Sequence, residues 1–279
     1  MSVPDTIRTL NPDALALFRT RRRNEATAPR GPASFFWGDY VRQADSIVEG
    51  APGRWSPLPD GAAGLRVHSA ASEGIRIGGE LVDGSAVLHW RSEDGPTVAE
   101  FPDGAEGVVF SYDGSTFALQ VWNPLSEWAR RFDDIASFDA DPSWMVEASV
   151  TPVAPGRTVA ITHHRDPRPV DVPVVAELAF EHDGREYTLV ATGGAPGMAG
   201  LFVHFRDLTS GEESYSAGRS IRVVPDGDRA VLDFNYATLL PCSFSLAWNC
   251  PLPPAENTLP VAVRAGERNA VDREERPLL

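Results

Sequence analysis

The chain has 279 residues, a formal net charge of -14 and a pI near 4.8, which disfavours nucleic-acid phosphates and anionic membrane surfaces as partners. All 25 basic residues are arginine. The lack of lysine excludes Schiff-base catalysis, including a pyridoxal phosphate aldimine, and excludes the lysine of a phosphate-binding P-loop. Apolar residues make up 42% of the chain, enough for a sizeable core without disulfides.

Met1–Phe18 has no continuous apolar stretch of the kind a secretory signal needs, and no run approaches the ~20 apolar residues that span a bilayer. The expectation is a soluble, cytoplasmic protein with reduced cysteines, no nucleic-acid or membrane partner and no cofactor.

In chain order, Asn11-Pro12-Asp13 has the form of a helix N-cap followed by proline at the first helical position. Leu15, Phe18 and Arg22 recur at helical spacing, with Leu17 added to the apolar side. The helix is expected to end before Ala28-Pro29-Arg30-Gly31-Pro32. Ser34-Phe35-Phe36-Trp37 follows as an aromatic cluster that docks on the body of the protein.

Beyond this the chain reads as β. Asp-Gly dipeptides, which favour the positive backbone angles of tight hairpin turns, start at Asp60, Asp83, Asp94, Asp103, Asp113, Asp183 and Asp226. Three hairpins are expected: 74–82 with 85–90, 107–112 with 115–122, and 174–181 with 185–192. In the last, Leu178 and Phe180 alternate with Ala179 and Glu181, and Tyr187 and Leu189 share their inward face. Further strands are expected at 144–150, 158–162, 201–206, 219–224, 230–235 and 259–263.

Strands without βαβ alternation define a mainly β protein: two antiparallel sandwich-like or barrel-like units after an N-terminal helix. The expected segments are a helix and linker at 1–34, a first β unit at 35–122, a connection with a short helix at 123–141, a second β unit at 142–266, and a charged, mobile tail at 267–279.

Residues able to carry chemistry concentrate in the second unit. Phe205-Arg-Asp207-Leu-Thr209-Ser-Gly211-Glu-Glu213-Ser-Tyr215-Ser-Ala-Gly218-Arg219 runs a strand into a glycine turn and out again. An arginine–carboxylate fork there would orient a ligand carboxylate or hold a general acid. The plainer alternative is a hairpin in which Asp207 and Thr209 cap the turn and Arg219 pairs with Glu213.

Asp233 and Asn235 stand two apart, on one face of a strand. If that face is buried the carboxylate needs a partner, with Arg219 or Arg222 as the natural candidates; the two residues either line a polar pocket or bond to backbone in the irregular loop that follows. Cys242 and Cys250 leave several possibilities open: a metal site completed by His163-His164, a disulfide, an activated thiol, or two reduced cysteines packed in a core. His163-His164 suits either a pocket edge or the surface. Pro251, Pro253 and Pro254 impose an extended path that straps the final strand, with Glu256-Asn257 leading into it. No metal ligands are assigned, and no nucleophile elbow, dinucleotide loop or H-E-x-x-H pattern occurs.

With these residues in view, the chain resembles a bacterial and archaeal family of unknown function, domain of unknown function 1684. The resemblance rests on Phe205–Arg219, on Leu232-Asp-Phe-Asn235, on Pro241-Cys242, and on Cys250-Pro-Leu-Pro-Pro-Ala-Glu-Asn257 with Ala265-Gly-Glu267. Weaker matches are Phe18-Arg19-x-x-Arg22 and Phe138-x-x-Asp141-Pro-x-Trp144. Members often read Asp-Phe-Asn-x-Ala-x-Asn-Pro-x-Cys-Ala-Tyr. Here Thr238-Leu-Leu-Pro241 carries one polar group fewer, and Cys242-Ser-Phe replaces the last step. The resemblance implies a mostly β protein and no particular reaction.

Two functional readings follow. In the first, a polar pocket of the second unit binds a small molecule, with or without acid/base catalysis. Asp233 or Glu213 is acid or base, Tyr215 and Asn235 supply hydrogen bonds, and Arg219 clamps an anion, with Asp207, Cys242, Cys250 and Asn257 as further ligand-binding candidates. In the second, the chain is a non-catalytic interaction module whose N-terminal β unit, a sandwich, recognises a protein partner, and the C-terminal motif is a structural lock.

Overall fold

The computed structural model describes residues 10–91, 95–193 and 200–279. They divide into two compact units, one drawn from 25–132 and 244–248, the other from 10–24, 133–243 and 249–279. Helix α1, Pro12–Thr27, starts as expected: the Ala14 N–H donates to Asn11 Oδ1 at 3.0 Å. Leu15 is buried but Leu17 is 71% exposed, so Leu17 is not part of the apolar side.

The 25–132 unit holds β1 (Phe35–Tyr40), β2 (Ser46–Val48), β3 (Ala51–Pro57), β4 (Gly64–Ser69), β5 (Arg76–Ile77), β6 (Glu80–Leu81), β7 (Gly84–His89), β8 (Val98–Glu100), β9 (Glu106–Phe110) and β10 (Ala118–Trp122). They form two antiparallel sheets, ordered β1-β10-β9-β8-β5-β6 and β2-β3-β4-β7. Trp55, Leu65 and Leu88 from one sheet and Val109 and Leu119 from the other bury against each other, which makes the unit a sandwich.

The β9–β10 hairpin forms as expected, with Asp113 Oδ1 accepting from the N–H groups of Ser115 and Thr116. The hairpin expected across Asp83-Gly84 does not form. The tight turn lies at Gly78-Gly79, which pairs β5 with β6, while β7 joins β4 in the other sheet. The reason is local: Gly78 and Gly79 both take positive φ (60° and 84°) without side-chain cost, whereas Asp83 does not. Asp94 lies outside the described residues. Phe244–Trp248 belongs to this unit: Trp248 stacks on Phe35 with ring centroids 4.0 Å apart and donates from Nε1 to Pro32 O at 3.0 Å. α2, Glu127–Arg131, is the expected short helix, capped by Ser126.

The other unit holds β11 (Asp134–Ser137), β12 (Met145–Pro152), β13 (Thr158–His163), β14 (Asp166–His182), β15 (Arg185–Gly193), β16 (Leu201–Phe205), β17 (Arg219–Val223), β18 (Arg229–Asp233), β19 (Thr238–Leu239) and β20 (Glu267–Val271). Its main antiparallel sheet runs β18-β12-β14-β15-β16-β17-β19, with β13 paired to the first part of the long β14. Among the described residues it does not close into a barrel.

Asp183 (φ 50°) and Gly184 (φ 70°) make the expected two-residue turn, and Leu178, Phe180, Tyr187 and Leu189 all face the core with Val203, Phe205, Ile221, Leu232 and Phe234. Two expectations fail. Residues 259–263 form no strand: they run alongside 206–208 in isolated parallel bonds, Leu259 N–H to Arg206 O at 2.8 Å and Leu208 N–H to Val261 O at 3.1 Å, and Val263 O then turns to Arg219. The charged tail is not free: β20 pairs with β11, and Glu267, Ala270, Val271 and Leu278 are buried.

Candidate functional site

The residues singled out from the sequence fall into local networks whose polar groups bond to the protein's own backbone and side chains. The densest surrounds Arg219. Gly218, with φ 87°, brings the chain so close to β16 that a Cβ there would lie 2.3 Å from Phe205 O. That approach sends the Arg219 side chain into the interior, where it is 0% exposed.

One terminal nitrogen donates to Asp207 Oδ2 at 2.6 Å and to Val263 O at 2.7 Å. The other donates to Ala265 O and, at 3.3 Å, to Glu267 O. The rings of Phe205 and Phe138 lie 5.2 and 5.5 Å from the guanidinium carbon. Burial pulls the Arg219 pKa down, and the Asp207 charge beside it opposes that shift. Nε is the one guanidinium nitrogen without a partner among the described residues.

Asp207 also accepts from the Thr209 N–H at 2.6 Å, so it caps the turn as the plainer hairpin reading holds. Its arginine differs from that reading. Arg219 pairs with Asp207, and Glu213 is gripped instead by Arg264, Nη2 to Oε1 at 2.7 Å, which holds the Glu213 carboxyl below its ordinary range. Sequence spacing favours Glu213 because it is closer in the chain to Arg219. The fold decides otherwise because Asp207 and Arg219 sit at adjoining ends of paired strands.

Asp233 and Asn235 do not share a strand face. β18 ends at Asp233, which caps a 3-10 turn at Phe234–Tyr236 by accepting from the Asn235 N–H at 3.1 Å and from Asn235 Nδ2 at 2.8 Å. The Asn235 carboxamide, 1% exposed, then pairs with Asp141 as a strand would: Oδ1 accepts from the Asp141 N–H at 2.8 Å and Nδ2 donates to its carbonyl at 2.9 Å. Neither residue meets Arg219 or Arg222 in these bonds.

Tyr215 donates to the Cys242 carbonyl at 2.9 Å, and the Cys242 N–H donates to Cys250 Sγ at 3.2 Å. Both cysteines are free and buried. A hydrogen bond between the thiols lowers the Cys242 pKa and pushes that of Cys250 up, and burial pushes the Tyr215 phenol up. Asn257 bonds to the backbone of β15 and β16. His163 and His164 run beside Cys250 and Pro251, with the His164 N–H donating to Cys250 O at 2.9 Å. Among the described residues no group of three or more His, Cys, Asp and Glu is placed to hold a metal ion.

The residue the site reading passed over is Glu267, placed in the expected tail although it ends the Ala265-Gly-Glu267 match. It is 2% exposed and bidentate to Arg22, Nε to Oε1 at 2.7 Å and Nη2 to Oε2 at 3.2 Å. Oε2 also accepts from the Leu239 N–H at 2.7 Å. The two residues stand 245 apart in the chain, and no local spacing pairs them.

Two grooves open on this unit, with volumes of about 440 and 350 Å³. The first lies over the exposed side of β12, β14, β15 and the start of β18, and the second between β15 and 256–260. Neither is lined by Arg219, Asp233, Tyr215 or Cys242.

The unit is thus a mostly antiparallel β domain in which Asp207, Arg219, Asn235 and Asn257 are buried, and among the described residues no helix is long and apolar enough to cross a membrane. Residues 130–268 match the model of a family described as "Protein of unknown function (DUF1684)", and the chain belongs to that family. The match begins after helix α1, so the Phe18–Arg22 resemblance lies outside it. The solution NMR structure of an uncharacterised protein of Haloarcula marismortui is 40% identical over 53% of this chain and 83% of that one, with a TM-score of 0.42. No curated protein matches the chain.

Proposed function

We propose that the chain is a non-catalytic binding module and that its C-terminal motif is a structural lock. The observation that carries this reading is the state of Arg219. An anion clamp needs donors that face a cavity, but both terminal nitrogens of Arg219 are committed to Asp207 and to backbone carbonyls of the 263–267 segment. The acid/base candidates are committed in the same way, Asp233 to Asn235 and Glu213 to Arg264. Together with the Leu239 N–H to Glu267 bond, the Arg219 and Glu213 bonds tie the 207–214 turn, β17, β19 and the chain leading to β20 into one body. The two thiols, buried and not joined by a disulfide, fit a reducing compartment such as the cytoplasm.

The test is Arg219→Met, followed by urea unfolding and circular dichroism. Removing one partner of a buried pair leaves the Asp207 carboxylate uncompensated, a loss of about 3–5 kcal/mol. The lock reading expects the unit to lose that much stability or to fail to fold. A variant that melts cooperatively at the parent temperature overturns it and returns Arg219 to the ligand-binding reading.

A further inference from the structure

The second groove follows a stretch of open sheet edge. Val190 on β15 directs both its N–H and its C=O away from β14, to the Asn257 carboxamide, at 2.7 and 2.8 Å. In a strand, alternate residues direct these groups to the same side. Thr188 and Glu186 therefore present their N–H and C=O groups to the same side as Val190. The two-residue turn at Asp183-Gly184 agrees, since it makes His182 and Arg185 a hydrogen-bonded pair and Glu181 and Glu186 a non-hydrogen-bonded one. β16 pairs with β15 only at Thr192 and Gly193. Among the described residues no backbone group takes up the edge at Glu186 and Thr188. The groove of about 350 Å³ beside it has Glu186 and Thr188 on one wall and Glu256, Thr258 and Pro260 on the other.

The charge on this edge is one-sided. Glu181 and Glu186 are directly opposed on β14 and β15, and the register that pairs Ala148 with Phe180 sets Glu147 beside Glu181. All three are exposed on the same sheet face. Glu147 meets Arg229 at 3.3 Å, but among the described residues neither Glu181 nor Glu186 has an ion-pair partner. Opposed like charges destabilise a sheet, and a cation above them relieves the repulsion. Glu186 and Thr188 also line the first groove, so the open edge and the acidic face meet along one strand.

We infer that the β15 edge at Glu186–Thr188 is a docking site for an extended, arginine- or lysine-bearing peptide segment of another protein. The segment adds as a strand, its backbone bonding to Glu186 and Thr188 and its cationic side chains lying over Glu181 and Glu186. Asn257 closes the β15–β16 end of the site, so the added strand stops short of Val190. A second copy of this chain is a poor occupant, because each copy would bring the same acidic edge and a net charge of -14. This inference rests on the binding-module reading and supplies its partner class.

The test uses a fluorescein-labelled peptide of alternating valine and arginine, the same peptide with alternate backbone amides methylated, and one with glutamate for arginine. Binding is read by anisotropy, and hydrogen exchange is followed at the Glu186 and Thr188 amides. The expected result is that only the first peptide binds, with at least tenfold slower exchange at both amides. Thr188→Pro, which removes an edge N–H, and the pair Glu181→Gln with Glu186→Gln should each weaken binding at least tenfold. If Thr188→Pro melts early, the methylated peptide alone decides the backbone requirement.

No binding of the valine–arginine peptide overturns the inference, as does binding that backbone methylation leaves unchanged. Sedimentation showing that the parent self-associates through this edge, with Thr188→Pro monomeric, overturns it in favour of a second copy. None of these measurements alters Arg219, so failure here is separate from failure of the lock.

Discussion

Asn257 is joined to Val190 as a neighbouring strand would be. Its Oδ1 accepts from the Val190 N–H at 2.7 Å, and its Nδ2 donates to the Val190 carbonyl at 2.8 Å and to the His204 carbonyl at 2.8 Å. The carboxamide stands in for a peptide unit where β15 and β16 separate, and it is 1% exposed. Asn235 does the same for Asp141, so two asparagines of the family motif act as pieces of backbone.

Asn257→Ala should strip bonds from three backbone groups in the interior. Each orphaned group costs about 1–3 kcal/mol, so the urea midpoint should fall by more than ~3 kcal/mol in stability. Asn257→Asp should fare no better, because a carboxylate accepts from the Val190 N–H but donates to neither carbonyl. Equilibrium urea unfolding, with hydrogen exchange at the Val190 amide, checks both variants.

Glu267 holds Arg22 of helix α1 and the Leu239 N–H at once. Arg22→Ala should leave a carboxylate with 3% side-chain exposure facing a lost partner and destabilise the unit by about 3 kcal/mol. Because the pair is shielded from solvent, the loss should persist in 0.5 M salt. Thermal melts at low and high ionic strength measure it.

His204 on β16 is largely buried and its Nδ1 has no partner among the described residues. Burial lowers its pKa from 6.5 to about 4. The unfolded chain therefore binds a proton at a pH where the folded chain does not. The stabilising effect of the neutral ring is fully present above pH 6.5 and is lost as pH falls toward 4. At about 1.4 kcal/mol per pKa unit, the loss approaches ~3 kcal/mol. His204→Gln should lack this component, so in urea unfolding between pH 7.5 and pH 4 the stability of the parent should fall steadily relative to that of the variant, by up to this amount. Parallel profiles would contradict the prediction.

Cys242 is 0% and Cys250 5% exposed, and each is engaged with the other or with Tyr215. Reduced protein should therefore release almost no thionitrobenzoate from Ellman's reagent while folded, and two equivalents in guanidinium chloride. Tyr215→Phe leaves the Cys242 carbonyl without its donor. It should lower stability by about 1 kcal/mol and speed the native reaction of both thiols.

Much of the fold was legible in the chain. The capped first helix, the turn at Asp183-Gly184 and the inward row of Leu178, Phe180, Tyr187 and Leu189 follow from local rules: a proline after an asparagine, a residue pair that tolerates positive φ, and a period of two. The candidate site was legible as a set of residues but not as a set of contacts. Asp207, Arg219, Asn235 and Asn257 were singled out for being polar among strands, and all are buried. Their partners lie up to about a hundred residues away in the chain, as Asn235 and Asp141 do, and spacing carries no information over that distance.

By itself the sequence determined the chemistry available and the local backbone: no lysine, two thiols, acidic excess, antiparallel strands and the turns that join them. Those depend on residue type and near neighbours alone. Only the tertiary structure decided which acid meets Arg219, that Glu267 is interior rather than part of a loose tail, and that Gly78-Gly79 rather than Asp83-Gly84 makes the hairpin. It also left Glu186 and Thr188 on an open edge. Each of those outcomes depends on which strands lie side by side, and strand partners are chosen by burial of a shared core, to which residues distant in the chain contribute together.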